Sequence, residues 1–333
     1  TQLTTNLPRT NWSTYHELGH NSQQTYYTAN GSYKIWEWST LTEVTCNVFS
    51  FKVAKAYGID FSLLRPDKGA YEQLALAHVA KTGAKNFDTD FPTDALSSGN
   101  FSRLCMFIQL MECYGYGWFT ELHKKGRRLE RPNLNDQARK DYFYEFMSDY
   151  VRKDMAPFFQ AWGVSLSAVA QNTVAAKYPT KVTETVWNYN IIKRIGAISA
   201  SSQQTAGPSI NLSNGITNDF WLSQNSSYPV SLVFFVGTPK PDLVTPAKDL
   251  AVIKGVTVVQ GPNSANYARQ VEVLVSEDNI NYTSAGTMQL PQNTTPYEYN
   301  FPTGVKRGKY IKLIIRTGAG TAVALGEVSP IFE

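Results

Sequence analysis

The stretch "TYHELGHNSQQ", Thr14 to Gln24, holds two of the four histidines in a chain of 333 residues. Wound as a helix, it carries His16 and His20 at i and i+4, so both imidazoles leave one face. Two nitrogens so arranged can reach a single tetrahedral zinc ion about 2.0–2.1 Å away. Glu17 lies about 100° further round the helix. That offset keeps it out of the ligand set but within reach of a water beside the ion. The bland alternative is a pair of polar residues on a helix surface. Context favours the metal, because a second helical run bearing an acid follows closely.

A catalytic zinc usually takes three protein ligands and keeps one position open. No further histidine lies close downstream, so the third ligand is sought among acids. Glu37 and Glu43 are the first two after His20. Glu43 opens "EVTCN" inside a helical run and can project from a helix packed on the first. Glu37 sits in "SYKIWEWST", an aromatic stretch that reads as a loop, so Glu43 is favoured. Asn47, one helical turn beyond Glu43, shares its face and can orient a ligand from behind. His78 and His123 have no comparable neighbours and read as surface or core histidines. The expectation is one Zn2+ per chain on His16, His20 and Glu43. Such an ion ionises water near neutral pH and polarises a carbonyl. Glu17 then acts as general base and returns the proton to the leaving amine. The implied reaction is peptide-bond hydrolysis without a covalent intermediate.

Outward from this site the chain divides by periodicity. Residues up to about 180 read as helical. Examples are "TLTEVTCNVFSFKVAKAYG" (Thr40–Gly58), the apolar "SRLCMFIQLMECYGYGWFTELHKKG", and "MAPFFQAWG" with Pro157 at a helix start. After Pro179 short β-rich runs take over, among them "VSLVFFV" (230–236), "QVEVLVS" (270–276) and "YIKLIIRT" (310–317). Their alternation and regular spacing predict a β-sandwich. The expected class is therefore multidomain α + β, with a mostly helical domain at 1–180 and a sandwich at 190–333. The Pro-rich "GTPKPDLVTP" (237–246) reads as a loop within the second. Charged residues make up 17% of the chain and its formal charge is +4, which describes a globular protein without a strong electrostatic field. The cluster Lys124–Lys125–Gly126–Arg127–Arg128 reads as a solvated face, and no nucleic-acid partner is expected. No apolar run is long enough to span a bilayer. Cys46, Cys105 and Cys113 form no disulfide framework and read as core residues. The polar start "TQLTTNLPRT" suggests an N-terminally truncated chain, with any targeting segment upstream.

The segments "HELGHNSQQ" and "TEVTCNVFSF" resemble the enhancin-like zinc metallopeptidases, a gluzincin group that acts on mucins and other O-glycoproteins. The family pattern H-E-x-G-H-N-x-Q is met by His16, Glu17, Gly19, His20, Asn21 and Gln23. Its later E-V-T-x-N helix is met by Glu43, Val44, Thr45 and Asn47. "MFIQLMECYGYGWFTELHKK" and "DMAPFFQAWGVSLS" extend the resemblance from about Trp12 to Ser167. The β-rich portion that such enzymes carry ahead of the histidine helix is missing here. "NGITNDFWLS" (214–223), "VEVLVSEDNINYTSAG" (271–286), "RGKYIKLIIRT" (307–317) and "ALGEVSPI" (324–331) resemble a discoidin-type, galactose-binding-like jelly roll. Together the two resemblances imply a secreted or cell-surface bacterial endopeptidase for O-glycosylated proteins, with a glycan ligand on the C-terminal domain. Trp36 and Trp38 are candidates to stack on a substrate sugar. Trp221 reads as a plug of the sandwich core. The seven Asn-x-Ser/Thr sequons, among them Asn11, Asn225 and Asn293, are expected to carry nothing in a bacterial protein. Two other functions compete. One is a glycan-binding adhesin with an idle peptidase-like half. The other is a zinc aminopeptidase on unglycosylated peptides.

Overall fold

The structure, a computed structural model, describes residues 12–23, 26–28, 31–57, 59, 70–92, 98–128, 134–224, 228–237 and 250–333. Gly58, read as a helix stop, the sequons Asn11 and Asn225, and most of the Pro-rich 237–246 stretch lie outside these residues. The described chain divides into two compact units that meet between Thr183 and Glu184.

The first unit is helical. The histidine stretch forms α1 (Trp12–Ser22), followed by a short hairpin of β1 (Tyr26–Thr28) and β2 (Gly31–Tyr33). The run expected as one helix over Thr40–Gly58 is instead interrupted. A 3-10 turn, Ser39–Leu41, leads into α2 (Thr42–Thr45), and after Cys46 the chain continues as α3 (Asn47–Ala56). The interruption has a local cause, since the Asn47 side chain donates to the Glu43 carbonyl at 2.9 Å and competes with the backbone there. Then come α4 (Tyr71–Ala80), α5 (Ser98–Tyr114), α6 (Gly117–Arg128), α7 (Asp136–Val151), α8 (Ala156–Ala161) and α9 (Ala168–Lys177). Every residue of α5 from Gly99 to Met111 is buried, as a helix apolar on most faces requires.

The loop before α2 is fixed from two sides. Arg103 of α5, fully buried, gives its guanidinium to the carbonyls of Phe87, Asp88, Phe91 and Pro92, which replaces its lost hydration. The Asp88 carboxylate so positioned accepts from Trp38 Nε1 and Thr40 Oγ1, each at 2.9 Å, and from Lys140. Trp36 packs among Phe107, Phe119, His123 and Phe143. The expectation that Trp36 and Trp38 stack on a sugar fails here. They are 1% and 0% exposed, and both rings are spent on the aromatic core that fixes the approach to α2.

The second unit is an antiparallel sandwich. One sheet runs β3 (Ile195–Ala200), β5 (Val230–Val236), β11 (Tyr310–Gly318), β7 (Ala268–Ser276), β8 (Tyr282–Gln289). The other runs β10 (Lys306–Gly308), β6 (Ala251–Gln260), β12 (Ala324–Phe332), β4 (Trp221–Leu222), with β9 (Tyr297–Asn300) also on β6. Alternate residues such as Val271, Val273 and Val275 on β7 and Ile311, Leu313 and Ile315 on β11 fill one apolar core. Trp221 is wholly buried in that core, with its Nε1 on the Ser202 carbonyl at 3.2 Å. Among the described residues no helix is long and apolar enough to cross a membrane.

Candidate metal centre

The centre forms where α1 meets the α2–α3 segment, and a glycine sets how closely they meet. A Cβ on Gly19 would lie 2.1 Å from the Cys46 carbonyl oxygen and 2.8 Å from its carbon. Only hydrogen fits there, so the helix backbone rests directly on Cys46. His16 and His20 flank Gly19 on the same side and are thereby turned onto Glu43, three residues before Cys46.

His16 is 7% exposed, whereas His20 and Glu43 are half-buried. His16 Nε2 lies 3.1 Å from His20 Nε2 and 3.3 Å from Glu43 Oε2, and His20 Nε2 lies 3.5 Å from the same oxygen. Two ligands about 2.0–2.1 Å from a tetrahedral ion stand about 3.3–3.4 Å apart. The three edges of the His–His–Glu triangle therefore suit one such ion. Two imidazoles and one carboxylate are also the donor set that zinc takes. Among the described residues, His16, His20, Glu43 and Cys46 are the one group of three or more His, Cys, Asp or Glu with this convergence.

Cys46 belongs behind the triangle rather than in it. Its Sγ lies 3.4 Å from His16 Nδ1, the ring nitrogen that faces away from Glu43. Burial, then the charges of Glu43 and Glu37, push its thiol well above the usual range, so it remains protonated. Asn47 sits on the same back edge. Its Oδ1 accepts from Trp12 Nε1 at 2.8 Å, and its Nδ2 gives to the Glu43 carbonyl. Indole is only a donor and a carbonyl only an acceptor, so the amide has one orientation. The 3.0 Å contact from His16 Nδ1 to Asn47 Oδ1 then requires a proton on Nδ1. That leaves the Nε2 lone pair of His16 directed at the triangle. Asn47 lies one turn from Glu43 with its Oδ1 on the His16 ring.

Glu17 is exposed beside His16 on α1. Glu37, the rejected alternative for the third ligand, is 1% exposed and turned away from the triangle. One of its oxygens is 2.7 Å from Lys34 Nζ, and the other accepts from Thr45 Oγ1 and Gln23 Nε2. Burial raises its carboxyl above the ordinary value against the opposing pull of Lys34. His78 bonds the Trp162 carbonyl at 3.0 Å and faces Asp90, and His123 bonds the Phe119 carbonyl at 2.8 Å. Neither joins the centre. The sequence reading passed over Trp12, Cys46 and the function of Gln23. Gln23 did carry a signal, since a residue three beyond His20 returns to the same helix face.

Residues 2–163 match the family described as Peptidase M60, enhancin and enhancin-like, and residues 197–328 match the F5/8 type C domain. The chain therefore joins an enhancin-like M60 peptidase domain to a discoidin-like F5/8 type C domain. Its curated relatives include TRPM8 channel-associated factor 2 of Homo sapiens, 29% identical over 175 residues, which are 50% of this chain and 16% of that protein. TRPM8 channel-associated factor homolog of Xenopus laevis is 27% identical over 161 residues, 46% of this chain and 15% of that one. The chain thus spans about one sixth of the length of these relatives. Among solved structures, CpGH89CBM32-5 from Clostridium perfringens in complex with GalNAc-beta-1,3-galactose is similar at 17% identity and a TM-score of 0.36. The match covers 41% of this chain and 95% of that one. The family 32 CBM of C. perfringens NanJ in complex with galactose is similar at 16% identity and a TM-score of 0.35, over 41% and 93% of the two chains.

Proposed function

We propose that this chain is the metal-holding part of a secreted or cell-surface zinc endopeptidase that cleaves glycosylated proteins, mucin-type O-glycoproteins above all. The observation that carries the reading is the His16–His20–Glu43 triangle, with edges of 3.1, 3.3 and 3.5 Å. His16, His20 and Glu43 would hold one zinc, and Asn47 keeps the His16 proton on the nitrogen turned away from it. Zinc, when bound, supplies a Lewis acid for a carbonyl oxygen and makes water acidic enough to ionise near neutral pH. Glu17 takes the proton from the attacking water and passes it to the leaving amine. Its exposure on α1, beside the triangle, is what an open cleft for a protein substrate requires. The F5/8 type C domain supports a glycan as part of what the enzyme recognises. Trp36 and Trp38 have no part in sugar stacking.

Two measurements test the reading. Metal analysis of Glu43→Ala should give sharply weakened zinc binding. Unchanged zinc there, with loss in Glu37→Ala instead, would reverse the choice of ligand. The second compares one peptide with and without a single O-linked sugar on Ser or Thr. The glycosylated peptide is expected to be cut faster. Faster cleavage of the bare peptide favours an ordinary peptidase. Sugar binding without cleavage of either favours an adhesin, or a binding role of the kind that the relatives' channel-associated name describes.

A further inference from the structure

Asn47 accounts for His16 alone. His20 has its own amide. His20 Nδ1 lies 2.9 Å from Gln23 Oε1. The far end of the Gln23 side chain faces Glu37 Oε1 at 2.9 Å, the Thr42 carbonyl at 2.5 Å and Thr45 Oγ1 at 2.8 Å. A carbonyl oxygen can only accept, and so can an ionised carboxylate. The end of Gln23 that meets them is therefore the NH2 group, and the end that meets His20 is the oxygen. The proton of that contact must then sit on His20 Nδ1. The Gln23 backbone is tied as well, since its N–H bonds the Gly19 and His20 carbonyls at 3.0 and 3.2 Å.

We infer that Gln23 is the positioning residue of His20, an amide clamped by Glu37, Thr42 and Thr45 that fixes the imidazole as the Nδ1–H tautomer and points its Nε2 lone pair at the metal. This rests on the reading above that His20 ligates zinc. With Asn47 doing the same for His16, both ligand nitrogens are set before metal arrives. Two lone pairs and a carboxylate oxygen then face one another across 3.1 to 3.5 Å, an arrangement that a cation between them relieves. Both orienting groups are neutral amides rather than carboxylates. Neither amide brings a charge of its own to the ring it meets, which leaves a held cation with more of its Lewis acidity than a carboxylate in direct contact would. The inference also gives Glu37 a role without making it a ligand. Its buried carboxylate, paired with Lys34, holds the amide that holds His20.

The test is nitrogen-15 NMR of the histidine rings in the zinc-free full chain at about pH 8.5, two units above the ordinary histidine value. Wild type should give His16 and His20 as Nδ1–H tautomers. Gln23→Met keeps the side-chain length and removes the acceptor. It should shift His20 towards the Nε2–H form, leave His16 as it was, and weaken zinc binding about 10- to 100-fold. His78 and His123 in the same spectrum report whether the fold is intact. If it is not, Thr45→Val carries the test, since it removes one acceptor of the clamp and should move the same two readouts in the same direction by less. An unaltered His20 tautomer together with unaltered zinc affinity would overturn the inference. Should wild type bind no zinc while Gln23→Met still moves the tautomer, the peptidase reading fails and the positioning of His20 stands. Should wild type bind zinc and the variant move neither readout, the reverse holds.

Discussion

Gly19→Ala separates two physical arguments that predict opposite signs. Helix propensity alone says the change should stabilise α1 by about 1 kcal/mol, because glycine is the costlier residue in a helix interior. Tertiary geometry says otherwise. The new Cβ would sit 2.1 Å from the Cys46 oxygen, 2.8 Å from its carbon and 2.9 Å from its Cα. Ordinary non-bonded contact needs about 3.5 Å, so the two backbones must part by roughly 1 Å or more. Neither partner is a flexible side chain that could swing away. Overpacking of this kind costs about 1–3 kcal/mol, which outweighs the propensity gain. The larger effect is expected on metal. Ligand distances tolerate only about ±0.2 Å, and a shift of 1 Å opens the 3.3 and 3.5 Å edges between the histidines and Glu43. Zinc affinity should fall by about 100-fold or more, beyond the range for a residue that only orients a ligand. Competition against a chromophoric chelator measures it, with denaturant melts for stability. Leu18→Ala, at a neighbouring side chain that is 54% exposed, is the control and should change stability by no more than about 0.5 kcal/mol. A Gly19→Ala chain that is more stable than wild type and binds zinc equally well would refute the close approach and the account of the centre built on it.

Glu17→Gln should keep zinc and fold while hydrolysis drops by about 10²–10⁴-fold; wild-type turnover in that variant removes Glu17 as the base. Trp36→Ala and Trp38→Ala should each destabilise the helical unit by about 3–5 kcal/mol, seen in melts, and equal stability with weakened glycan recognition would restore the stacking role. A chain of residues 185–333 should be soluble, β-rich and cooperative in melting, and an unfolded product would deny the sandwich its independence. In that unit burial raises the Glu327 carboxyl to about 7 against the pull of Lys193, 2.9 Å away. Between its ordinary value and about 7 the folded state holds a proton that the unfolded state has lost, so stability falls as pH rises through that window. The sandwich should therefore melt higher at about pH 5 than at about pH 8, and Glu327→Gln should flatten the difference.

How much of this was legible beforehand follows from the range of the interactions involved. The i, i+4 histidines are a local matter, fixed by helical pitch, and so is the alternation of strands such as β7 and β11 that separates the sandwich from the helices. The nearness of Glu43 and Asn47 to the histidines was open to expectation because both lie on one helical run, a turn apart. Local periodicity could not say that this run breaks at Cys46, since the break follows from a side chain competing for a backbone carbonyl. Nor could it tell an aromatic residue that binds from one that packs. Trp36 and Trp38 are buried by α5 and α7, elements far off in sequence, and composition is the same in either case. The orienting groups lay deepest. Trp12 meets Asn47 across 35 positions and Gln23 meets Glu37 across 14. Hydrogen bonds of that kind fix which ring nitrogen carries a proton, and they exist only once the helices are docked. The sequence by itself determined which side chains could take a metal. The tertiary structure decided which ring nitrogens face one another, because a tautomer is set by the partner behind the ring and never by the residue alone.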